Sequence, residues 1–527
     1  MSAKRRALDA LAAALFAAGL ALPPVLTILG SDAAASVRAE GRSPAPVPRW
    51  PESAAEWARW PHALASAYAD RIGLRRPLLR WRNALHVFGL SVSPTPAFVL
   101  GAERRVFLDT EQVLDGLRGA RPLRVPELKG WRRALESRAR HVAAHGGRLV
   151  VAIAPENWSV YPDLAPHALR PIGPSRREQF LSELARDAPC QVIDLLPALR
   201  GARAADAPGD LACYPHGTHW TPRGALAASR ELVAALSAAL PEFPRMETLA
   251  RDAARLEPVP GVGDSWAGRL HLEGWLVNSD HAIVDPQQNW VTTGEPRSER
   301  DVLVTSAHEP SGLPRAIVVH DSFGSYLRPV LPRVLARGVF LWQHEFPAER
   351  IASERPDLVL LVFAERFLMR PPWPLVGGAT DAPILREIFE SLAVVARLGP
   401  AELARDATVV GPLEVHPGEH GLALREPTPG GLLVLPELPV ACGSPLVLEL
   451  DVELAPGGPV ALAAFFQTEA DPHYLRARAA RAVVAEGTSR VVLEIGDPDR
   501  AGRVALRLEQ TGRPWTLAGL VARGVPR

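Results

Sequence analysis

The sequence predicts an α/β domain built on a doubly wound parallel sheet, followed by a separate antiparallel β-sandwich. Three observations lead there. Runs such as RLVVAIA, RAIVV and DLVLLVF are continuously apolar, and they alternate with amphipathic helical segments. Strands of that kind belong to a parallel sheet covered on both faces, and about five of them make a doubly wound domain. From about residue 405 the texture changes to short strands separated by Pro-Gly, Gly-Thr-Ser and Asp-Pro-Asp turns, the pattern of a jelly-roll-like sandwich. Finally, 527 residues exceed what one core can organise.

The elements follow in order. MSAKRR precedes the apolar run ALDALAAALFAAGLALPPVLTILG, long enough to span a bilayer, with the charges that keep an N-terminus cytoplasmic. Residues 1–30 therefore read as a membrane anchor or a signal segment. Small residues in SDAAASVRA fit a cleavage site, and the length of the run favours the anchor. Either way the body is exported to the periplasm. Residues 31–50, rich in Ala, Ser and Pro, read as a linker, and 51–400 as the α/β domain.

Within that domain, 51–90 carry Trp and Leu at helical spacing, and PTPAFVLGAERRVFLD reads as a hairpin. PELKGWRRALESRARHVAAHGG is a helix ended by paired glycines. RLVVAIAP is a strand, SRREQFLSELARDA a helix, QVIDLL a strand, and TPRGALAASRELVAALSAAL a helix with Pro222 in its first turn. After a long excursion from Pro241 to about Pro314 come RAIVV, a helix over SFGSYLRPVLPRVLA, the strand GVFLWQ, a helix over PAERIASERP and the strand DLVLLVF. The sandwich, 405–527, holds LVLELDVELA, VALAAFFQTE, SRVVLEIG, RVALRLEQ and WTLAGLVAR, with a helical stretch at most around YLRARAARA. Trp515 and Tyr474 are its candidate sugar-stacking residues, with Phe466; the sandwich core is the competing place for such rings.

A net charge of +1 leaves no basic excess for nucleic acid. There is no Walker or Rossmann glycine fingerprint, so no nucleotide cofactor is called for, and the three cysteines lack zinc spacing. Cys190 and Cys213 could form a disulfide with Cys442 buried and free, or all three could be buried thiols.

Ligands in open α/β sheets bind beyond the carboxyl ends of the strands. Asn157, Asp321, Ser322, Glu345 and Arg366 stand in the segments that follow such strands. RAIVVHDSFGSYL is the sharpest signal: Ser322 between a buried strand and a helix suits a nucleophile with backbone N–H groups at hand, or a helix cap. Asp321 organises the turn. His219, beside Trp220 at a helix start in YPHGTHWTPRGA, suits a general base.

Taken in order, AFVLGAERRVFL, APENWSVYPD, VIDLLPAL, the Thr218-His219-Trp220 stretch, VVHDSFGSYL and LVFAERFL resemble the SGNH-like periplasmic polysaccharide O-acetyltransferases of the alginate O-acetylation type, from about Trp50 to Leu368. The resemblance implies Ser322 as nucleophile, His219 as base, and a triad acid two residues before the histidine. That position is Gly217, and the lysine usual in the first-strand motif is Asn157. Asp210, Asp194 and Glu345 are the carboxylates considered as replacements. VGDSWAGRL contains Gly263-Asp264-Ser265, nominally nearer a Gly-Asp-Ser motif, but no apolar strand precedes it and Ser265 ranks below Ser322.

The function expected is transfer of an acetyl group through an acyl-serine to hydroxyls of a cell-envelope or extracellular polysaccharide. The resemblance implies a multi-spanning membrane acyltransferase as partner and acetyl donor, and no metal. The alternatives are an O-acetyl esterase and a non-catalytic polysaccharide-binding or assembly protein that has lost its acid.

Overall fold

In a computed structural model, the structure describes residues 3–28, 37, 44–110, 113–185, 187–207, 210–246, 249, 255–260, 263–285, 288–294, 298, 300–343, 346–369, 392–428, 430–442, 444, 446–458, 460–468, 473–474, 479–495, 500–509 and 512–526. A helix spans Ala3–Ile28. Its Asp9–Ile28 stretch, 20 residues with mean hydropathy 2.1, is long and apolar enough to cross a membrane. Two further helices, Ala54–Arg71 and Arg75–Ala84, precede a small antiparallel hairpin of β1 (Phe98–Leu100) and β2 (Val106–Leu108).

The α/β domain is then laid down as β3 (Arg148–Ala154), β4 (Gln191–Asp194), a two-stranded pair of β5 (Arg255–Pro258) and β6 (His281–Val284), β7 (Trp290–Thr293), β8 (Leu303–Ala307), β9 (Arg315–His320), β10 (Arg337–Trp342) and β11 (Leu358–Ala364). The main sheet has the order β4-β3-β11-β9-β10-β8-β7. The first five of these are parallel, as the apolar runs require; β8 and β7 add an antiparallel edge. That edge lies in the Pro241–Pro314 excursion, where the polar, broken sequence gave no strand signal.

Alternate residues of the parallel strands feed two cores. Val150, Ala152, Val318 and Leu360 face one side, with the Pro222–Ala239 helix; Val151, Ile153, Val319 and Leu361 face the other, with Trp131 and Phe180. Continuous apolarity is thus spent on both faces at once. The helix expected over SFGSYLRPVLPRVLA is confined to Ser322–Ser325, with a 3-10 turn at Leu331–Val334. Pro329 and Pro332 explain it, since neither can donate an amide to a continuing helix.

Cys190 and Cys213 are both free, so the disulfide is not formed. Cys190 belongs to one face of the sheet and Cys213 to the other, which keeps their sulfurs apart. Burial pushes each thiol up to about 12. Cys442, expected inside, is exposed.

The C-terminal region is two antiparallel sheets face to face. One carries Glu414–Gly418, Gly421–Arg425, Trp515–Gly524, Leu446–Leu454 and Gly487–Ile495, with Ala393–Leu398 added on Trp515–Gly524. The other carries Thr408–Val410, Leu432–Val434, Arg500–Leu508, Val460–Thr468 and Ala479–Val484. The first strand thus precedes the boundary drawn at 405. The stretch YLRARAARA contributes a strand at Ala479–Val484 rather than a helix; residues 475–478 lie outside those described. The α/β domain touches this sandwich where Ala134 packs on Val447 and Val492.

Candidate active site

The carboxyl ends of β3, β9 and β11 bring the site together. Asp321 follows β9, and its carboxylate closes the turn by accepting from the Phe323 N–H at 2.8 Å and the Ala364 N–H, at the end of β11, at 2.7 Å. Both oxygens are occupied by backbone, so Asp321 holds the turn. His320, just before it, donates Nδ1–H to the Asp321 carbonyl at 2.7 Å and accepts from Arg328. Burial and the adjacent guanidinium push His320 down to about 4, so it is neutral. Ser322 opens the short helix at this fixed turn.

His219 reaches the serine from the loop before the Pro222–Ala239 helix, which Thr221 caps by accepting from the Gly224 N–H. Ser322 Oγ–H donates to His219 Nε2 at 2.7 Å. The imidazole lies between the Phe323 and Tyr326 rings, with centroids 4.8 and 5.4 Å away. Trp220 is buried and packs edge-on against Phe323 at 5.2 Å, supporting the loop from below.

The other imidazole nitrogen has a carboxylate partner. His219 Nδ1–H donates to Asp264 Oδ2 at 2.7 Å. The same oxygen accepts from the Thr218 and His219 backbone N–H groups at 2.7 and 3.0 Å. Burial raises the Asp264 pKa, but the hydrogen bond and charge of His219 and the two amides outweigh it and hold the carboxyl below its usual range. The residue comes from VGDSWAGRL, where only the serine had been weighed; Ser265 instead accepts from the Ala267 N–H as a local cap.

Gly217 is what makes room for this. A Cβ there would stand 2.3 Å from the Asp264 carbonyl oxygen and 2.5 Å from its Oδ2. Glycine at 217 and aspartate at 264 are one arrangement, made by the fold between positions far apart in the sequence, so no local signal marks Asp264.

The carboxylates considered as replacements are engaged elsewhere. Asp194 accepts from Arg177 at 2.5 Å and from the Leu196 N–H, and Asp210 pairs with Arg223 at 3.5 Å. Glu345 lies outside the described residues. Asn157 is a brace: its amide donates to the Tyr214 and Gly217 carbonyls at 3.0 and 3.3 Å, and its oxygen accepts from buried Arg105 at 2.9 Å. A lysine could not accept from Arg105.

Beneath the histidine loop is a buried ionic layer. Arg366 donates to Glu156 at 2.5 Å and to Thr218 Oγ1 at 2.9 Å. Glu156 in turn is raised by burial. Glu365 accepts from the Glu156 N–H at 2.6 Å and lies 3.3 Å from Arg177. Burial pushes Glu365 up to about 7. With its charge met by Glu156, Arg366 positions the Thr218–His219 segment.

In the sandwich, Trp515 is 3% exposed and packs with Leu454, Leu517 and their neighbours, as does Phe466. Neither ring is available for a sugar. Tyr474 is half-buried against the Val434–Ala463–Phe465 cluster.

Residues 120–306 match the SGNH hydrolase-like domain, acetyltransferase AlgX. The resemblance carried by the motifs holds over that stretch, which contains His219 and Asp264 and stops short of Ser322. Among solved structures, the chain is similar to Pseudomonas aeruginosa AlgX (12% identity, 85% of this chain and 98% of that one, TM-score 0.37). It is also similar to the O-acetyltransferase domain of Pseudomonas putida AlgJ (21%, 53% and 98%, TM-score 0.34). A third similarity is to a xylan-binding CBM22-1 domain of Paenibacillus barcinonensis Xyn10C (14%, 26% and 97%, TM-score 0.21). No curated protein matches the chain.

Proposed function

We propose that the protein is an exported O-acyltransferase that moves an acetyl group through an acyl-serine onto hydroxyls of a cell-envelope or extracellular polysaccharide. The observation that carries this reading is the unbroken relay Ser322–His219–Asp264, both links 2.7 Å long. The non-catalytic alternative rested on the missing acid at 217, and a carboxylate supplied from 264 removes its motive.

The chemistry follows from the hydrogen bonds. Asp264 accepts from Nδ1–H and so leaves Nε2 as the basic nitrogen of the neutral ring. As Ser322 Oγ attacks the donor's acyl carbon, Nε2 takes its proton, and the imidazolium that forms is stabilised by the half-buried Asp264 carboxylate. Negative charge develops on the former carbonyl oxygen. The Phe323 amide is held by Asp321, leaving the Ser322 N–H in the first helical turn, where backbone donors lack intrahelical partners, to meet that oxygen. Collapse expels the donor's leaving group, which carries away the proton from Nε2. In the second half a sugar hydroxyl gives its proton to Nε2, attacks the acyl-serine carbon and releases Ser322, which recovers its hydrogen.

The acetyl donor is a membrane acyltransferase, and the Ala3–Ile28 helix holds the enzyme at the inner membrane beside it. The test is intact-protein mass spectrometry of the full chain after exposure to an activated acetyl ester. One acetyl adduct mapped to Ser322, absent from Ser322→Ala and His219→Ala, is the expected result. A folded wild-type protein that never acquires the adduct would overturn the assignment.

A further inference from the structure

The body of the protein wears its large apolar side chains on one region. Among the described residues, every exposed Trp, Tyr, Phe and Leu outside the N-terminal helix falls between 50 and 90 or at 275. Trp50 is 71% exposed, Trp81 68% and Leu85 60%. Elsewhere the exposed large hydrophobics are valines and one isoleucine. Trp50, Trp57 and Trp60 pack ring against ring within 5.4–5.9 Å, and Trp81 meets Trp275 at 5.7 Å. A water-soluble surface rarely gathers such rings without a use for them.

The same segment is basic. Between 49 and 82 the sequence has seven arginines, Arg49, Arg59, Arg71, Arg75, Arg76, Arg80 and Arg82, against Glu52, Glu56 and Asp70. Arg80 lies 4.7 Å over the Trp275 ring.

The position of this surface is set by the apolar helix. Thr27, next to its last residue, accepts a hydrogen bond from the Gly73 N–H at 2.8 Å. Gly73 lacks the Cβ that would stand 2.5 Å from Leu26. Gly73 is the turn between the Ala54–Arg71 and Arg75–Ala84 helices. The 20-residue stretch Asp9–Ile28 ends one position beyond this contact and rises about 30 Å, the hydrocarbon thickness of a bilayer. The point where the chain leaves the membrane is therefore seated between the two helices that carry the tryptophans and arginines.

We infer that these two helices, with the Trp50 segment that precedes them, lie in the headgroup layer of the bilayer that the N-terminal helix crosses, with Trp50, Trp57 and Trp81 entering the acyl boundary and the exposed Arg49, Arg76 and Arg82 meeting anionic lipid phosphates. The inference rests on the reading of that helix as a retained anchor. It also bears on the site, because Asn83 donates to the Leu270 carbonyl at 2.8 Å, and Ala84 and Val87 pack on Ala267 and Leu270, just beyond Asp264. The segment that supplies the acid is seated on the membrane-facing helices.

Residues 1–30 contain no tryptophan, so lipid quenching of tryptophan emission reports on the body alone. The full chain would be reconstituted into vesicles containing phosphatidylglycerol, with acyl chains brominated near the headgroup, and floated on a density gradient. Flotation with emission lower than in unbrominated vesicles, and loss of that difference in Trp50→Phe/Trp57→Phe/Trp81→Phe, is the expected result. Failure to float would overturn both the anchor and the inference. Flotation with unquenched emission would overturn the inference alone and leave the aromatic face to a protein partner. Quenching unchanged in the triple variant would place the contact elsewhere and overturn it as well.

Discussion

Asp264 fills the space that any side chain at position 217 would need, with its carbonyl oxygen 2.3 Å and its Oδ2 2.5 Å from the Cβ that Gly217 lacks. The carboxylate in that space is bound at once to the imidazole and to the backbone N–H groups of Thr218 and His219. A local glycine and a remote aspartate together place one carboxylate against the histidine loop.

Gly217→Ala forces the Asp264 backbone to move, an overpacking cost of about 1–3 kcal/mol. Because the nearer atom is the Asp264 carbonyl, Asp264→Ala does not relieve it. Thermal melts of the two single variants and the double variant should show the double at least as unstable as Gly217→Ala.

Asp264→Asn keeps an amide oxygen for Nδ1–H and for the two backbone N–H groups that share the same acceptor, but removes the negative charge that would stabilise the imidazolium. In the serine-protease template this change costs about 10⁴-fold in turnover. Acetyl transfer by this variant should fall by a comparable factor, with folding intact by circular dichroism. Wild-type rates would overturn the role of Asp264.

Glu365 is raised by burial to about 7, above the ordinary carboxyl value of 4.5. Its stabilisation is then full below 4.5 and is lost as pH rises toward 7, at about 1.4 kcal/mol per pH unit between those limits. Glu365→Gln cannot ionise. The melting temperature of the variant relative to wild type should rise from pH 5 to pH 7 and then level off; a constant difference would contradict the assignment.

Trp515 sits in the sandwich core. Trp515→Ala should cost about 3–5 kcal/mol through the cavity it leaves. Trp515→Phe should keep whatever glycan affinity the protein has, as measured by calorimetry with soluble polysaccharide. A selective loss of binding in a stable Trp515→Phe protein would contradict this placement.

The five parallel strands were legible because burial on both faces demands unbroken apolar runs, and RLVVAIA, RAIVV and DLVLLVF supply them. The long sandwich strands were legible from their turns. Leu303–Ala307 and Trp290–Thr293 were not, because the first alternates buried with half-buried residues and the second is a largely exposed edge strand, and the helix expected after Ser322 ends before two prolines. Ser322 and His219 could be picked out because a strand-to-helix turn and a helix start leave local marks. Asp264 could not be placed that way: 45 residues separate it from His219, and only the folded chain brings the two together.

The bracing of the acid also sets how small a working fragment can be. The stretch from Phe98 to Met369 holds the main sheet together with Ser322, His219 and Asp264, and would look sufficient on a linear map. Yet Asn83, Ala84 and Val87 lie outside it, and they hold Ala267 and Leu270 in place. A chain trimmed to that stretch would keep Ser322, His219, Asp264 and the Asn278 bond to the Asp264 carbonyl, but would lose the Asn83 bond and the packing of Ala84 and Val87 under Ala267 and Leu270. The packing that holds this loop therefore begins upstream, at the helices that adjoin the apolar segment.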